Sequence, residues 1–541
     1  MSRIFVPNFG FLSTSQEKDV LRRLSEGPSR RAVLKGLVAA GLASGVAGNV
    51  LLAASNARAN TPVRGGTLRV AGAMSSTADT ADPALFGNST DYSRGFMFYN
   101  GLTVIDPEMK AQPQLASSWD QDGTNTVWTF KIREGVTFHD GSALTSADVV
   151  YSLNRHLDPA TGTKAMTIAS QFKEVAATGS HEVRITLVGP NGDLPILLST
   201  PHFMIVKDGT TDFSKPNGTG PFVAEEFTPG VRSLGVRNEN YWKEGLPYLD
   251  AVEFFGIPEE NARLNALISG DVQLTTTINP RAISQIEANP NVVLFETKSG
   301  TYSNLIMRQD AAPGNNPDFA LGMKYLMNRA MIRNAVFRDF AVLGNDHPID
   351  PSNPFFNADI PQREFDPEKA KFHLEKAGVL NTPIPMVVAE TARASIEMGS
   401  MLMEDGRDIG LQIDLQRVPS DGYWSNYWMK VPVGFGTVSH RPTADLVLSL
   451  FYKSDAPWNE AGWKSEQFDQ LLIAARAEPD FDRRKQMYGD MQVMIHESGG
   501  TGIPVFFSNL DAHSAKLKGM VPIATGNMMG FNFAESVWLE A

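Results

Sequence analysis

The sequence predicts an α/β protein with mixed sheets. Stretches with the two-residue alternation of half-buried strands recur along the chain, and stretches with helical periodicity and recognisable caps stand between them. Length points the same way: 541 residues are too many for one ordinary core and predict two or three lobes. No tandem repeat or low-complexity linker divides the chain, so it is expected to cross between lobes more than once.

Taken in order, the first element is an address. Ser29-Arg30-Arg31-Ala32-Val33-Leu34-Lys35 precedes an uncharged Gly/Ala-rich run, Gly36 to Ala54, that ends in Ala57-Arg58-Ala59. A charged start, an apolar run and small residues at −3 and −1 make a signal peptide with cleavage after Ala59. The pair Arg30-Arg31 closely resembles the twin-arginine (Tat) export signal, with Val33 in place of its usual Phe. A spanning helix needs about 20 strongly apolar residues, and this run is only mildly apolar. Gly65 to Val70 then reads as an opening strand, followed by a polar loop from Ser75 to Asp82. Trp128, Phe130 and Ile132 alternate with Thr129 and Lys131, as Val183, Ile185 and Leu187 do with Arg184 and Thr186. His139-Asp140-Gly141 is a turn. Thr145 with Asp148 three residues on predicts a capped helix start, and Asp366-Pro367 with Gly378 predicts a second helix. Phe468, Leu471, Leu472 and Ala475 share one helical face. So do Met487, Tyr488, Met491, Met494 and Ile495, in a helix stopped by Gly499-Gly500.

Composition excludes several chemistries. Hydrophobic residues at 42% and charged residues at 20% describe a globular protein. A net charge of −12, made more negative by removal of the basic leader, argues against gripping nucleic-acid backbones. The absence of cysteine excludes disulfides, thiolate metal sites, a Cys nucleophile and N-terminal lipidation. No G-x-S-x-G, H-E-x-x-H or Walker loop occurs, and Gly218-Thr219-Gly220 runs straight into Pro221, which disfavours a dinucleotide fingerprint. No two of the nine histidines sit at i, i+4. We therefore expect no catalytic residue, no protein-ligated metal and no cofactor. Asp421 lies among Tyr423, Trp424, Tyr427 and Trp428, which either line a sugar or peptide groove or pack a loop onto the core.

One stretch carries a resemblance. Pro113 to Trp119, Trp128 to Gly141 and Thr145 to Val149 follow the pattern P-x-L-A-x-S-W, W-T-F-x-L-R-x-G-V-x-F-H-D-G, T-A-x-D-V, with Ile132 for Leu and Ser146 for Ala. Gly218 to Phe222, Asn238 with Tyr241-Trp242, Pro247 to Asp250, Leu267 to Val272, Asp366 to Ala370 and Arg483 to Pro504 add matches in the same order. The chain resembles the family 5 extracellular solute-binding proteins, the dipeptide/oligopeptide/nickel receptors of ABC importers. The resemblance implies a class II periplasmic-binding-protein fold, with two mixed-sheet lobes joined by a hinge and a third accessory lobe. Lobe I would comprise 60–97, 206–304 and 508–541, lobe II 98–205, and lobe III 305–507. It also implies a monomeric periplasmic receptor that captures a peptide or peptide-like solute between lobes and delivers it to inner-membrane permease subunits, after passage through the Tat machinery. An opine, oligosaccharide or metal chelate remains open as ligand, and a periplasmic hydrolase or chaperone as role. Most motif residues are scaffold.

In peptide receptors of this family, a segment near A-D-Y-x-D-P supplies an Asp for the ligand's α-amino group. The corresponding stretch here is Thr437 to Asp445, and it places His440 at the acidic position, followed by Arg441. That reverses the local charge and suits a ligand carboxylate or phosphate. The alternative is that Arg441 pairs with Asp445 to brace the loop. Further candidate ligand contacts are Asp445, Tyr302, Ser303, Asn304, Tyr423, Trp424, Tyr427, Trp458, Trp463 and Phe86.

Overall fold

A computed structural model describes residues 61–540. Arg30, Arg31 and the cleavage position after Ala59 lie outside the described residues. The short-range expectations appear as elements. Thr67–Gly72 is a strand, and Val127–Ile132 and Glu182–Leu187 pair antiparallel with Trp128 opposite Ile185 and Phe130 opposite Val183. Their alternate side chains are buried because the sheet has one wet face. With Ala116–Gln121 and Phe172–Gly179 they form a four-stranded sheet. Thr145 starts the helix Ser146–Asn154 through a capping box, its N–H donating to Asp148 Oδ2 at 2.7 Å. Asp366 caps Pro367–Lys376 by accepting from Lys369 N–H at 2.9 Å, and Gly378, at φ 74°, turns the chain away after that helix.

The large sheet is built from chain that is far apart in sequence. Its order is Val433–Val438, Val292–Met307, Val505–Ser514, Leu274–Thr276, Thr67–Gly72, Ala251–Gly256, Arg232–Arg237 and Phe222–Thr228. Ala341–Leu343 and Thr501–Gly502 join at its side. Thr67–Gly72 pairs parallel with both neighbours; the other pairs are antiparallel. The two long strands, Val292–Met307 and Val505–Ser514, pair with each other, and their register shifts between Thr297 and Thr301. Such an irregularity lets a strand bend.

The helices Glu466–Ala477 and Phe481–Ser498 bury Phe468, Leu472, Tyr488, Met491 and Ile495. Those side chains belong to the same hydrophobic cluster as Phe130 and Ile185 of the four-stranded sheet. Arg484 of the second helix reaches Asp193 at 2.7 Å. Gly218 and Gly220, which read as turn residues in the sequence, do not have positive φ; a Cβ on Gly218 would lie 2.1 Å from Phe98 O, and one on Gly220 2.4 Å from Phe98 C. Close backbone approach, not handedness, makes them glycine. Among the described residues no helix is long and apolar enough to cross a membrane.

Candidate functional site

A cavity of about 500 Å³ opens where four separate stretches converge: 86–105, 164–202, 440–458 and 523–532. That volume suits a small organic molecule. Its wall is chiefly apolar, with Phe86, Phe96, Leu450, Trp458 and Phe531 among its members. Its cationic members are Lys164 and Arg441, and among the described residues no Asp or Glu lines it.

Arg441 sits just before the helix Ala444–Phe451, which Thr443 caps by accepting from Leu446 N–H at 3.1 Å. Its guanidinium lies 5.8 Å from the Phe451 ring and 6.0 Å from the Trp458 ring. It donates to the carbonyls of Ser439 at 3.3 Å and His440 at 3.5 Å, and among the described residues no carboxylate is within bridging distance. Burial lowers its pKa, partly offset by Tyr302 and Tyr92, yet a guanidinium stays charged. The result is a fixed positive charge on an acid-free cavity wall. The loop brace with Asp445 does not form: Asp445 is buried and bound to Arg476 Nε at 2.6 Å.

His440 is buried, and its Nδ1 accepts from Gly300 N–H at 3.0 Å. The proton therefore sits on Nε2, which has no partner. Burial holds the ring neutral despite Asp350 Oδ2 3.7 Å away. A neutral N–H donor serves an acceptor, not an ammonium. His202 presents the opposite polarity. Its Nε2 meets Phe86 O at 3.0 Å, so Nδ1 is a lone pair without a donor. Gly300 is held to glycine by this arrangement, because a Cβ would lie 2.3 Å from Asp350 Oδ2 and 2.6 Å from His440 Nδ1. Gly300→Ala is expected to cost about 1–3 kcal/mol by overpacking. Urea unfolding measures it, and a loss below about 0.5 kcal/mol would show that the site yields freely.

Of the candidates read from the sequence, Phe86, His440, Arg441 and Trp458 come together on the cavity wall. The others lie off it. Tyr302 is buried with its ring edge-on to Phe506, and Ser303 shares a hydrogen bond with Thr437. Asn304 donates to Glu460 Oε2 at 2.7 Å, and Trp428 donates to Oε1 at 2.6 Å. That carboxyl is pushed up to about 7 by burial. Tyr423 donates its hydroxyl to Phe435 O at 2.7 Å inside the core, with Tyr427 stacked on it. Trp424 is 40% exposed and bonds Thr391. Trp463 packs edge-on to Phe468. Of the aromatic group around Asp421, Tyr423 therefore packs its loop onto the core, and Trp424 stays exposed. Sequence reading missed Tyr92, Phe96, Lys164, His202 and Phe531. Nothing local marks them; they meet only because distant segments close on one another.

Comparisons with known proteins agree with this architecture. Residues 110–458 match the model of the bacterial extracellular solute-binding proteins, family 5. Heme-binding protein A of Haemophilus influenzae is 27% identical over 488 residues, 82% of this chain and 87% of its own. Glutathione-binding protein GsiB of Escherichia coli is 25% identical over 507 residues, 90% of this chain and 95% of its own. In structure, the periplasmic binding protein DppA of Helicobacter pylori, solved with the peptide STSA, superposes with a TM-score of 0.74 at 24% identity, covering 90% of this chain and all of that one. The match to the family model spans more than half of the sequence, and the chain belongs to the family 5 bacterial extracellular solute-binding proteins, the ligand receptors of ABC importers.

Proposed function

We propose that this protein is a periplasmic receptor that captures a peptide-like or other amphipathic solute through an anionic group held by Arg441. The observation that carries the reading is a guanidinium that, among the described residues, has no carboxylate partner and shares its cavity wall with no acidic side chain. A free α-amino group would find a cation there instead of a counter-ion, whereas a carboxylate would accept the two parallel bonds a guanidinium offers. His440 adds a neutral donor beside it. Heme and glutathione, named for two relatives, are both carboxylates. Lobes closing over the solute would signal occupancy to the permease without chemistry. The leader motif supports export by the twin-arginine pathway and cleavage after Ala59. In this reading the exported protein works as a soluble monomer that catalyses nothing and carries no cofactor.

The test is a thermal-shift panel in which each dipeptide appears free, N-acetylated and C-amidated, beside glutathione, heme, an opine and an oligosaccharide. Acetylation should be tolerated and amidation should abolish the shift. A ligand present at 100 times its Kd adds about 2.7 kcal/mol of apparent stability, which such an assay resolves. Binding that survives removal of the anionic group but is lost on acetylation of the amine would overturn the reading.

A further inference from the structure

One wall of the cavity, formed by Met529, Gly530 and Phe531, is a left-handed turn. Met528 (φ 50°, ψ 54°) and Met529 (φ 59°, ψ 45°) lead into Gly530 (φ 62°) and Phe531 (φ 76°). Three of these four residues carry a Cβ, which crowds the following carbonyl in this region. Such a run persists only where its surroundings hold it.

Asp511 supplies the hold. Its Oδ2 accepts from Met528 N–H at 2.6 Å and its Oδ1 from the Asn527 side-chain amide at 2.8 Å. It lies on the long strand Val505–Ser514, opposite Thr276, fully buried, and among the described residues no cation is within bridging distance. Burial pushes its carboxyl up to about 6, a cost in ionised form that these amide donors, the Thr276 hydroxyl and the Thr277 N–H offset. The turn in its place folds the Phe531 ring over Gly526, where a Cβ would lie 2.2 Å from it, and sets the ring 5.2 Å from that of Tyr92.

We infer that Asp511 is a positioning residue for ligand recognition, holding 528–531 left-handed so that Met529 and Phe531 form an apolar wall of the cavity that Arg441 also lines. The inference rests on the proposed reading that this cavity takes the solute. Asp511 lies outside the wall, on the long strand Val505–Ser514, yet decides the wall's shape.

The experiment compares the parent full-length mature protein with Asp511→Asn and with the double variant Asp511→Asn/Asn527→Asp. The single change sets an amide N–H against the Asn527 amide and loses one acceptance. The double change reverses donor and acceptor and restores both bonds with the same net charge. The first readout is hydrogen exchange of a peptide spanning 524–534. Exchange should rise at least tenfold in Asp511→Asn, without a matching rise in strand 505–514, and return to the parent rate in the double variant. The second readout is fluorescence titration with 8-anilinonaphthalene-1-sulfonate, an aromatic anion matched to the cavity. Its Kd should rise at least tenfold and recover in the double variant. Parent-like exchange at 524–534 in Asp511→Asn, or failure of a folded double variant to recover, overturns the inference. Probe affinity unchanged by Arg441→Ala would instead count against the anion site, while the exchange arm still decides the role of Asp511.

Discussion

Arg441→Ala is expected to weaken an acidic ligand by about 2–5 kcal/mol, the range for truncating one partner of a desolvated charge pair. The apo protein should melt as the parent does. Arg441 bonds only to carbonyls of its own loop, and Asp445, the one acid near it in sequence, is already neutralised by Arg476. Removing Arg441 therefore strands no buried carboxylate, the usual reason a charge deletion unfolds a protein. Arg441→Lys keeps the charge but loses the planar fork, so it should recover only part of the affinity. Calorimetry with the ligand identified by the panel gives the first number and thermal melting of each apo variant the second. Parent-like affinity in a well-folded Arg441→Ala protein would reject the anion clamp. A large fall in apo stability would show that the side chain braces its loop after all.

What could be read in the sequence follows how far each interaction reaches. The Thr145–Asp148 capping box spans four residues, and both of its bonds form. Strand alternation at 127–132 and 182–187 was legible because one face of that sheet is wet. The large sheet was not legible from pattern. Thr67–Gly72 pairs with Ala251–Gly256 and Leu274–Thr276, partners about two hundred residues away, and no local pattern names such distant partners. At the site, Arg441 and His440 could be named because a known recognition segment changes charge there. Tyr423 and Asn304 could not be sorted the same way, since an aromatic or amide in a loop reads alike whether it meets a ligand or, as here, Phe435 O and Glu460. The left-handed turn at 528–531 was invisible: two methionines and a phenylalanine at positive φ break the local rule that would have announced it.

Asp346→Asn is expected to be among the most damaging single changes in the core, costing about 3–5 kcal/mol, the range for breaking a buried ion pair from one side. Asp346 is fully buried and takes both Nη2 contacts of Arg329 at 2.7 Å, a bond from Arg363 Nη1, and the Ile503 N–H at 3.1 Å. Arg329, Arg363 and Lys324 are themselves buried, so one carboxylate serves three cations. Asparagine fits the space but turns an amide donor toward guanidinium donors and removes the buried negative charge among them. Lys324 gives the change a pH signature. Burial lowers its pKa to about 7, with Asp346 the chief influence raising it. Between that value and 10.5 the folded state binds fewer protons than the unfolded one, so this group makes parent stability rise with pH across the window. Without Asp346 the lysine pKa falls further. At pH 6 the variant must then bury an uncompensated ammonium or give up its proton, whereas at pH 9 Lys324 is neutral in both folded proteins. The destabilisation measured by urea unfolding should therefore be larger at pH 6 than at pH 9. A loss under about 1 kcal/mol, or one independent of pH, would mean that the three cations find other compensation and that Asp346 does not anchor this part of the core.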